Sequence, residues 1–298
     1  MNARSQPNTG RDLPPPTAHA VLLDWLLTAL APMNRTRVKQ LLRSGRVSVN
    51  GASITRHDHP LKPADRVAIG RDAPVAHTAA QLGVPVVYED AAVLVIDKPS
   101  GLLSVATEDE KIDTAFVRLR FHLESMSAGR PFVVHRLDRD TSGLLLFART
   151  AESRDTLQTN WESVTKTYLA VVEGTPREAE GTVENFLTEG RDLRVRASNR
   201  PGGEAKAAVS RYRVVGTRDG NSLVEVLLET GRKHQIRVHL AGLGCPVVGD
   251  TVYGATTDPC GRLGLHAWRL TFEHPTSGER VEVESPLPRE LRRIVNRG

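Results

Sequence analysis

Hydrophobic positions in the first seventy residues keep a helical rhythm, whereas those from Val84 onward keep the shorter rhythm of strands. Val21, Leu22, Trp25, Leu26, Ala29 and Leu30 recur at the spacing of an amphipathic helix, which Pro32 ends. Capped by Asn34 or Thr36, a second helix carries Val38, Leu41 and Leu42 on its apolar face and stops at Ser44-Gly45. Val47 and Val49 alternate as a short strand does, and Asn50-Gly51 is a tight-turn signal. A turn at Leu61-Lys62-Pro63-Ala64-Asp65 leads to a closing strand over 66–69. Further on, runs rich in Val, Leu and aromatics predict strands over 84–88, 93–96, 132–137, 144–148, 168–172, 207–215 and 223–228. Helical patterns fall at 114–124, 151–161 and 288–295. Strand-rich runs with scattered helices predict an α+β fold with a mixed, largely antiparallel sheet, not a regular βαβ alternation.

The same pattern divides the chain. Residues 1–17 are polar, contain Pro14-Pro15-Pro16 and are expected to form a flexible tail. Residues 18–71 form a small domain of two helices followed by strands, and 72–83 read as a linker. The rest, 84–298, is one large domain. Its length and 39% hydrophobic content suit a globular core, built from aliphatics because aromatics are only 4%.

Charge adds a direction. The net charge is +5, and on or beside the second helix sit Arg35, Arg37, Lys39, Arg43 and Arg46. Such a face is either a solvated surface or a phosphate-contacting one, since clustered cations release counterions from nucleic acid. Cys245 and Cys260 are too few for a disulfide framework and read as reduced thiols. The apolar stretch 21–31 is too short to span a bilayer and lacks signal-peptide flanks, so a cytoplasmic protein is expected.

Two segments could carry chemistry. His135-Arg136-Leu137-Asp138-Arg139-Asp140-Thr141-Ser142-Gly143 lies between apolar strands, as a charged solvated loop or as a displayed site. Asp140-Thr141-Ser142-Gly143 is not an aspartic-protease signature, which needs two copies to share a proton. The second segment, Thr230 to Leu240, is dense in cations and donors but suits neither helix nor strand by period. On its own, Tyr168 reads as a core residue of an ordinary strand. The sequence offers no phosphate loop, nucleophile elbow or metal-ligand cluster, so no cofactor and no metal are expected.

Taken in order, these runs resemble one known family, the RluA-type pseudouridine synthases. The resemblance rests on Asp97-Lys98-Pro99-Ser100-Gly101-Leu102-Leu103, His135-Arg136-Leu137-Asp138 with Thr141-Ser142-Gly143, and 166–174. It continues through Gly231-Arg232, His234-Gln235-Ile236-Arg237-Val238-His239, Gly249-Asp250 and Leu265-His266-Ala267, spanning about 84–286. The front block, around 35–51, resembles an S-four-type RNA-binding domain. The resemblance implies a pseudouridine-synthase sheet behind that domain, and an isomerase turning uridine in RNA into pseudouridine. It assigns the catalytic carboxylate to Asp138, acting as nucleophile or as base toward the sugar. Arg237 is expected beside that carboxylate, Tyr168 against the flipped base, and Arg136 in the space the base vacates. Lys98-Pro99 is expected to shape the loop rather than touch substrate.

One departure bears on the target. Many relatives carry His-Pro after the Lys-Pro motif where this chain reads Ser104-Val105-Ala106, which is closer to the small-substrate branch. The front domain points the other way. The expected partner is therefore RNA, ribosomal (large-subunit) in preference to tRNA, met by a monomer with no membrane association. Two other classes compete: a non-catalytic RNA-binding ribosome-assembly factor, and a glycoside hydrolase using Asp138. The intact Asp, Tyr and Arg positions disfavour the first, and the want of a partner carboxylate disfavours the second.

Overall fold

A computed structural model describes residues 11–33, 35–43, 47–69, 83–108, 110–126 and 128–295. The chain divides into two units, Met1–His77 with Ser125–Ser127, and Thr78–Glu124 with Ala128–Gly298.

In the first unit the elements run β1 (Arg11–Asp12), β2 (Ala20–Val21), α1 (Leu22–Ala29), α2 (Arg35–Arg43), β3 (Val47–Val49), β4 (Ala52–Ser53), β5 (Pro60–Leu61) and β6 (Val67–Ile69). Leu22, Leu23 and Leu26 of α1 meet Val38, Leu41 and Leu42 of α2 over Val47, Val49, Leu61 and Val67, making one small core. Asn50 and Gly51 both have positive φ, 51° and 83°, as the two-residue turn between β3 and β4 requires. Arg35 is exposed and Lys39 partly so. Asn34, Ser44, Gly45 and Arg46 lie outside the described residues, as do the side chains of Arg37 and Arg43. Thr36 falls within α2 and so does not cap it.

The expected tail over 1–17 needs correction. Arg11 and Asp12 pair with Ile69 and Ala68, and Leu13 is buried with its N–H on the Val67 carbonyl at 2.9 Å. Leu13 and Pro16 are the buried residues of this stretch, too few to mark it in the sequence. Residues 1–10, and the linker 72–83 except Gly83, lie outside the described residues.

The second unit holds an eleven-stranded sheet of β7 (Val86–Glu89), β8 (Val93–Lys98), β9 (Phe132–Val133), β10 (Ser142–Ala148), β11 (Thr165–Glu173), β12 (Glu180–Glu189), β13 (Val195–Ser198), β14 (Lys206–Arg218), β15 (Asn221–Leu228), β16 (Leu265–Glu273) and β17 (Arg280–Glu284). The main path runs β13-β12-β14-β15-β11-β16-β10-β8-β7. Its described pairs are antiparallel except β10 with β16, which run parallel. Helices α3 (Ala115–Ser125), α4 (Ala151–Thr159), α5 (Gln235–Gly242) and α6 (Arg289–Val295) complete it.

Both faces of the central strands are covered, which explains their unbroken apolar runs. Leu94, Ile96, Leu145 and Phe147 pack with Leu119 and Leu123 of α3 on one face. Val93, Val95, Leu144 and Leu146 pack with Leu157 of α4 and Phe272 on the other.

Three differences from the sequence reading have physical causes. The strand expected over 132–137 pairs only at Phe132–Val133, because the Leu146 N–H donates to His135 Nε2 at 3.0 Å instead of a neighbouring carbonyl. The undecided segment 235–242 is a helix with Gln235 through Leu240 all buried, so no amphipathic period exists to read. Strands β12, β13, β16 and β17 went unread; β16 is buried on both faces and β12 is largely polar.

The parallel contact of β10 with β16 is close. Ser142 pairs with His266 and Gly143 with Ala267, and Gly143 has φ 110°. A Cβ there would stand 2.2 Å from the Ala267 carbonyl oxygen. Gly143→Ala should therefore destabilise the protein by more than about 2 kcal/mol, from backbone strain and overpacking together. Urea unfolding checks this, and an unchanged midpoint would refute the close-approach argument.

Candidate active site

The Asp138 loop joins β9 to β10 and is held by the segment that follows β8. The buried Lys98 ammonium donates to the carbonyls of Pro99, Leu102 and Arg139 at 3.0, 2.7 and 2.9 Å. Ser100 Oγ donates to the Asp140 carbonyl at 2.7 Å, and the Gly101 N–H to the Arg139 carbonyl at 2.9 Å. Ser104 Oγ donates to the Leu137 carbonyl at 2.7 Å and accepts the Leu137 N–H at 2.9 Å. The backbone is thus fastened on both sides of Asp138. Burial pushes Lys98 down to about 7, against the charges of Asp140 and Asp138. The Lys98-Pro99 motif shapes the loop, and Ser104, noted in the sequence only as a departure, does so too.

The other end of the loop is fixed by His135, which stacks on Trp161 at 4.5 Å between centroids. Burial, with the Lys166 charge nearby, pulls His135 down to about 3, so the ring is a neutral acceptor for the Leu146 N–H.

Tyr168 comes from β11 through the register of the sheet. It pairs with Ala267 at a shift in the ladder, and Ala267 in turn pairs with Gly143. One row across β11, β16 and β10 therefore brings the Tyr168 ring toward the Asp138 loop, over two small residues. Burial raises the Tyr168 hydroxyl well above its ordinary value, and the charge of Asp138 adds to the effect. The hydroxyl is thus protonated and within electrostatic reach of the carboxylate. Asp138 itself is partly exposed, its side chain 28% accessible. Arg136 is exposed.

Arg237 departs from expectation in its partner. Its Nε and Nη2 donate to the two carboxylate oxygens of Asp250, at 2.6 and 2.7 Å, and the Asp250 side chain is fully buried. Burial alone would lower the guanidinium; the hydrogen bonds and charge of Asp250, with Asp138 beyond, hold it above its ordinary value. Asp138 is close enough to contribute charge, but the bidentate bond belongs to Asp250. His234 also lies within ion-pair distance of Asp138, with Nε2 at 3.9 Å from Oδ2.

Helix α5 can aim Arg237 because its other polar side chains are consumed by β14. Gln235 Nε2 donates to the Val209 carbonyl and Ser210 Oγ at 2.9 and 3.0 Å, while Oε1 accepts from Thr230 Oγ1 and the Arg232 N–H. His239 bridges Ser210 Oγ and Asn185 Oδ1, and burial lowers it to about 4. Beside Arg237 lies an open cleft of about 870 Å³, lined by Lys98, Asp140, Asp250 and Arg262 among others. Asp138 and Tyr168 stand outside its lining.

The front unit contributes Arg35 and Lys39 on an exposed side of α2; Arg46 lies outside the described residues. Sequence reasoning gave no role to His234, Asp250 or Tyr253. Gly249-Asp250 was visible as a motif, but nothing in spacing tied it to Arg237. Among the described residues, no group of three or more His, Cys, Asp or Glu is arranged to hold a metal. No described helix is long and apolar enough to cross a membrane.

The structure thus presents a carboxylate on a fixed loop, a protonated tyrosine within its electrostatic reach and a buried cation paired with Asp250. Comparison with known proteins narrows the class. Residues 92–242 match the family described as RNA pseudouridylate synthase. An uncharacterized RNA pseudouridine synthase of Bacillus subtilis, YlyB, is 36% identical over 272 residues, covering 88% of each chain. The ribosomal large subunit pseudouridine synthase D of Neisseria meningitidis is 34% identical, covering 92% of this chain and 78% of its own. Among solved structures, human RNA Pseudouridylate Synthase Domain Containing 1 aligns with a TM-score of 0.56 at 30% identity, over 69% of this chain and 84% of its own. The chain belongs to the RNA pseudouridylate synthase family, in its RluA-type branch, and is an isomerase acting on uridine in RNA.

The Asp250 carboxylate bears on stability as well as on the site. Asp250→Asn should cost about 3–5 kcal/mol, because it leaves the buried Arg237 charge without its partner. Denaturant unfolding measures this; a loss below about 1 kcal/mol would show that the pair is dispensable to the fold.

Proposed function

We propose that this enzyme converts specific uridines of large-subunit ribosomal RNA to pseudouridine, with Asp138 as the reacting carboxylate. The observation carrying the site assignment is the row Tyr168, Ala267, Gly143, which aims an aromatic ring at a loop fastened on both sides of Asp138. In this reading the uridine is flipped from its RNA and its base rests against Tyr168. Asp138 acts at the sugar while the N1–C1′ bond breaks. The uracil turns and rejoins C1′ through C5; C5 loses its proton and N1 gains one. Reactant and product are isomers, and no electrons enter or leave. Tyr168, held protonated by burial, is suited to stack and to relay the C5 proton, not to act as a phenolate base. Arg136, exposed on the same loop, is placed by this reading in the gap the base leaves.

The ribosomal target is supported by relatives whose names specify the large ribosomal subunit. It is supported too by the front unit, read as an S-four-type RNA-binding domain: a second contact raises effective affinity for one site in a large RNA. Such an enzyme would work in the cytoplasm, as a monomer. Pseudouridine mapping of ribosomal and transfer RNA in a deletion strain, complemented with wild type or Asp138→Asn, tests both parts. The expected result is loss of a large-subunit pseudouridine restored by wild type alone. Restoration by the Asn variant refutes Asp138, and a site lost only from tRNA refutes the target.

Arg35→Ala with Lys39→Ala in the full chain tests the front unit. Each phosphate contact removed should lower the slope of log affinity against log salt by about 0.7–0.9. An unchanged slope means that this face of α2 contacts no phosphate.

A further inference from the structure

One ring nitrogen of His234 lies within ion-pair distance of Asp138, and the other is engaged by a chain of hydrogen bonds running away from it. Nε2 lies 3.9 Å from Asp138 Oδ2, and Nδ1 lies 2.9 Å from the Tyr253 hydroxyl. That hydroxyl also accepts the Val195 N–H at 3.0 Å. Of the two tautomers this contact allows, one has the hydroxyl proton donated to Nδ1, which then accepts. In it the imidazole proton is left on Nε2, toward the carboxylate.

Tyr253 is well placed to impose this tautomer. It is buried, its ring meets His234 edge-on at 83°, and the guanidinium carbons of Arg237 and Arg194 lie 4.9 and 5.5 Å from its centroid. Its own N–H donates to Asp250 Oδ1 at 3.3 Å. A second observation is independent of this chain. His234 sits at φ 54°, ψ 15°, just before α5, in the left-handed region that a non-glycine residue occupies at a cost of about 1–2 kcal/mol. Backbone economy alone would favour Gly or Asn there.

We propose that His234 is a positioning residue, whose Nε2–H, fixed by Tyr253, orients the Asp138 carboxylate during the reaction. This rests on the assignment of Asp138 as the reacting group. Arg237 gives its Nε and Nη2 to Asp250 and makes no ion pair with Asp138 among the described contacts. At 3.9 Å the donor stands just beyond bonding distance, and it closes when uridine displaces water from the site. The groups facing the ring are Asp138, Arg237, Lys233, Asp250 and Tyr253. Burial outweighs the pull of Asp138 and lowers the ring from its ordinary value, so it acts as a neutral donor.

The test uses the full-length enzyme with RNA substrate, and His234→Asn, His234→Gln and Asp138→Asn. Asn tolerates the backbone but falls short of Asp138; Gln carries an amide N–H to the place of Nε2. His234→Asn should lower kcat about 30-fold or more with KM within about threefold, and Gln should recover most of that loss. In wild type, ¹⁵N NMR of labelled histidine should show Nδ1 unprotonated and Nε2 protonated. A proton on Nδ1, an Asn variant as fast as wild type, or a Gln variant no better than Asn overturns the proposal. Should the Asn variant fail to fold, the tautomer decides. An active Asp138→Asn overturns the underlying assignment instead, whereas an inactive one beside an active His234→Asn removes His234 alone.

Discussion

The arrangement around the site depends on one buried ion pair, Arg237 with Asp250. Two charges removed from water cost several kcal/mol each, so such a pair contributes less stability than its short distances suggest. What it supplies is direction. Asp250 takes two donors from Arg237 on α5 and one from the Tyr253 N–H, fastening the helix to the turn over 251–253. With that turn fixed, Tyr253 faces His234, and the cation of Arg237 lies beside Asp138 without being neutralised by it. An Arg bonded directly to Asp138 would occupy its carboxylate oxygens; bonded to Asp250, it supplies field and leaves them open.

The loop carrying Asp138 follows a similar economy. Its carbonyls at Leu137, Arg139 and Asp140 are taken by Ser104, Lys98, Gly101 and Ser100, so its path does not depend on the charged side chains it displays. Burying the Lys98 ammonium is costly, and three carbonyl acceptors offset that cost. The outcome is a fastened backbone under a partly exposed carboxylate.

How much of this the sequence carries differs by kind of contact. Elements with one solvent face, such as α1 and β15, show their period plainly. Segments buried on every side, α5 and β16, show none, and the character of 235–242 becomes plain only when Gln235 and His239 are seen bonded to β14. Asp138, Tyr168 and Arg237 could be named through a family resemblance carried by ordered motifs. Their geometry could not, because it is set by strand register, Tyr168 to Ala267 to Gly143, and by the Asp250 partner thirteen residues from Arg237. Residues 11–13 mislead in the other direction: three hydrogen-bonded residues and one buried leucine leave almost no compositional trace.

These hydrogen bonds also limit where RNA can be discriminated. Lys98, Ser104, Gln235 and His239 spend their polar atoms inside the protein, and a group so engaged cannot also read a base. Side chains left at the surface include Arg136 and Arg139 on the loop and Leu193, 68% exposed in the β12–β13 connection. That connection is tied inward, since the Val195 N–H binds the Tyr253 hydroxyl and the Leu193 carbonyl meets the Lys233 ammonium at 3.5 Å. The 190–194 turn and the ring of His234 are thus joined through Val195 and Tyr253 by hydrogen bonds.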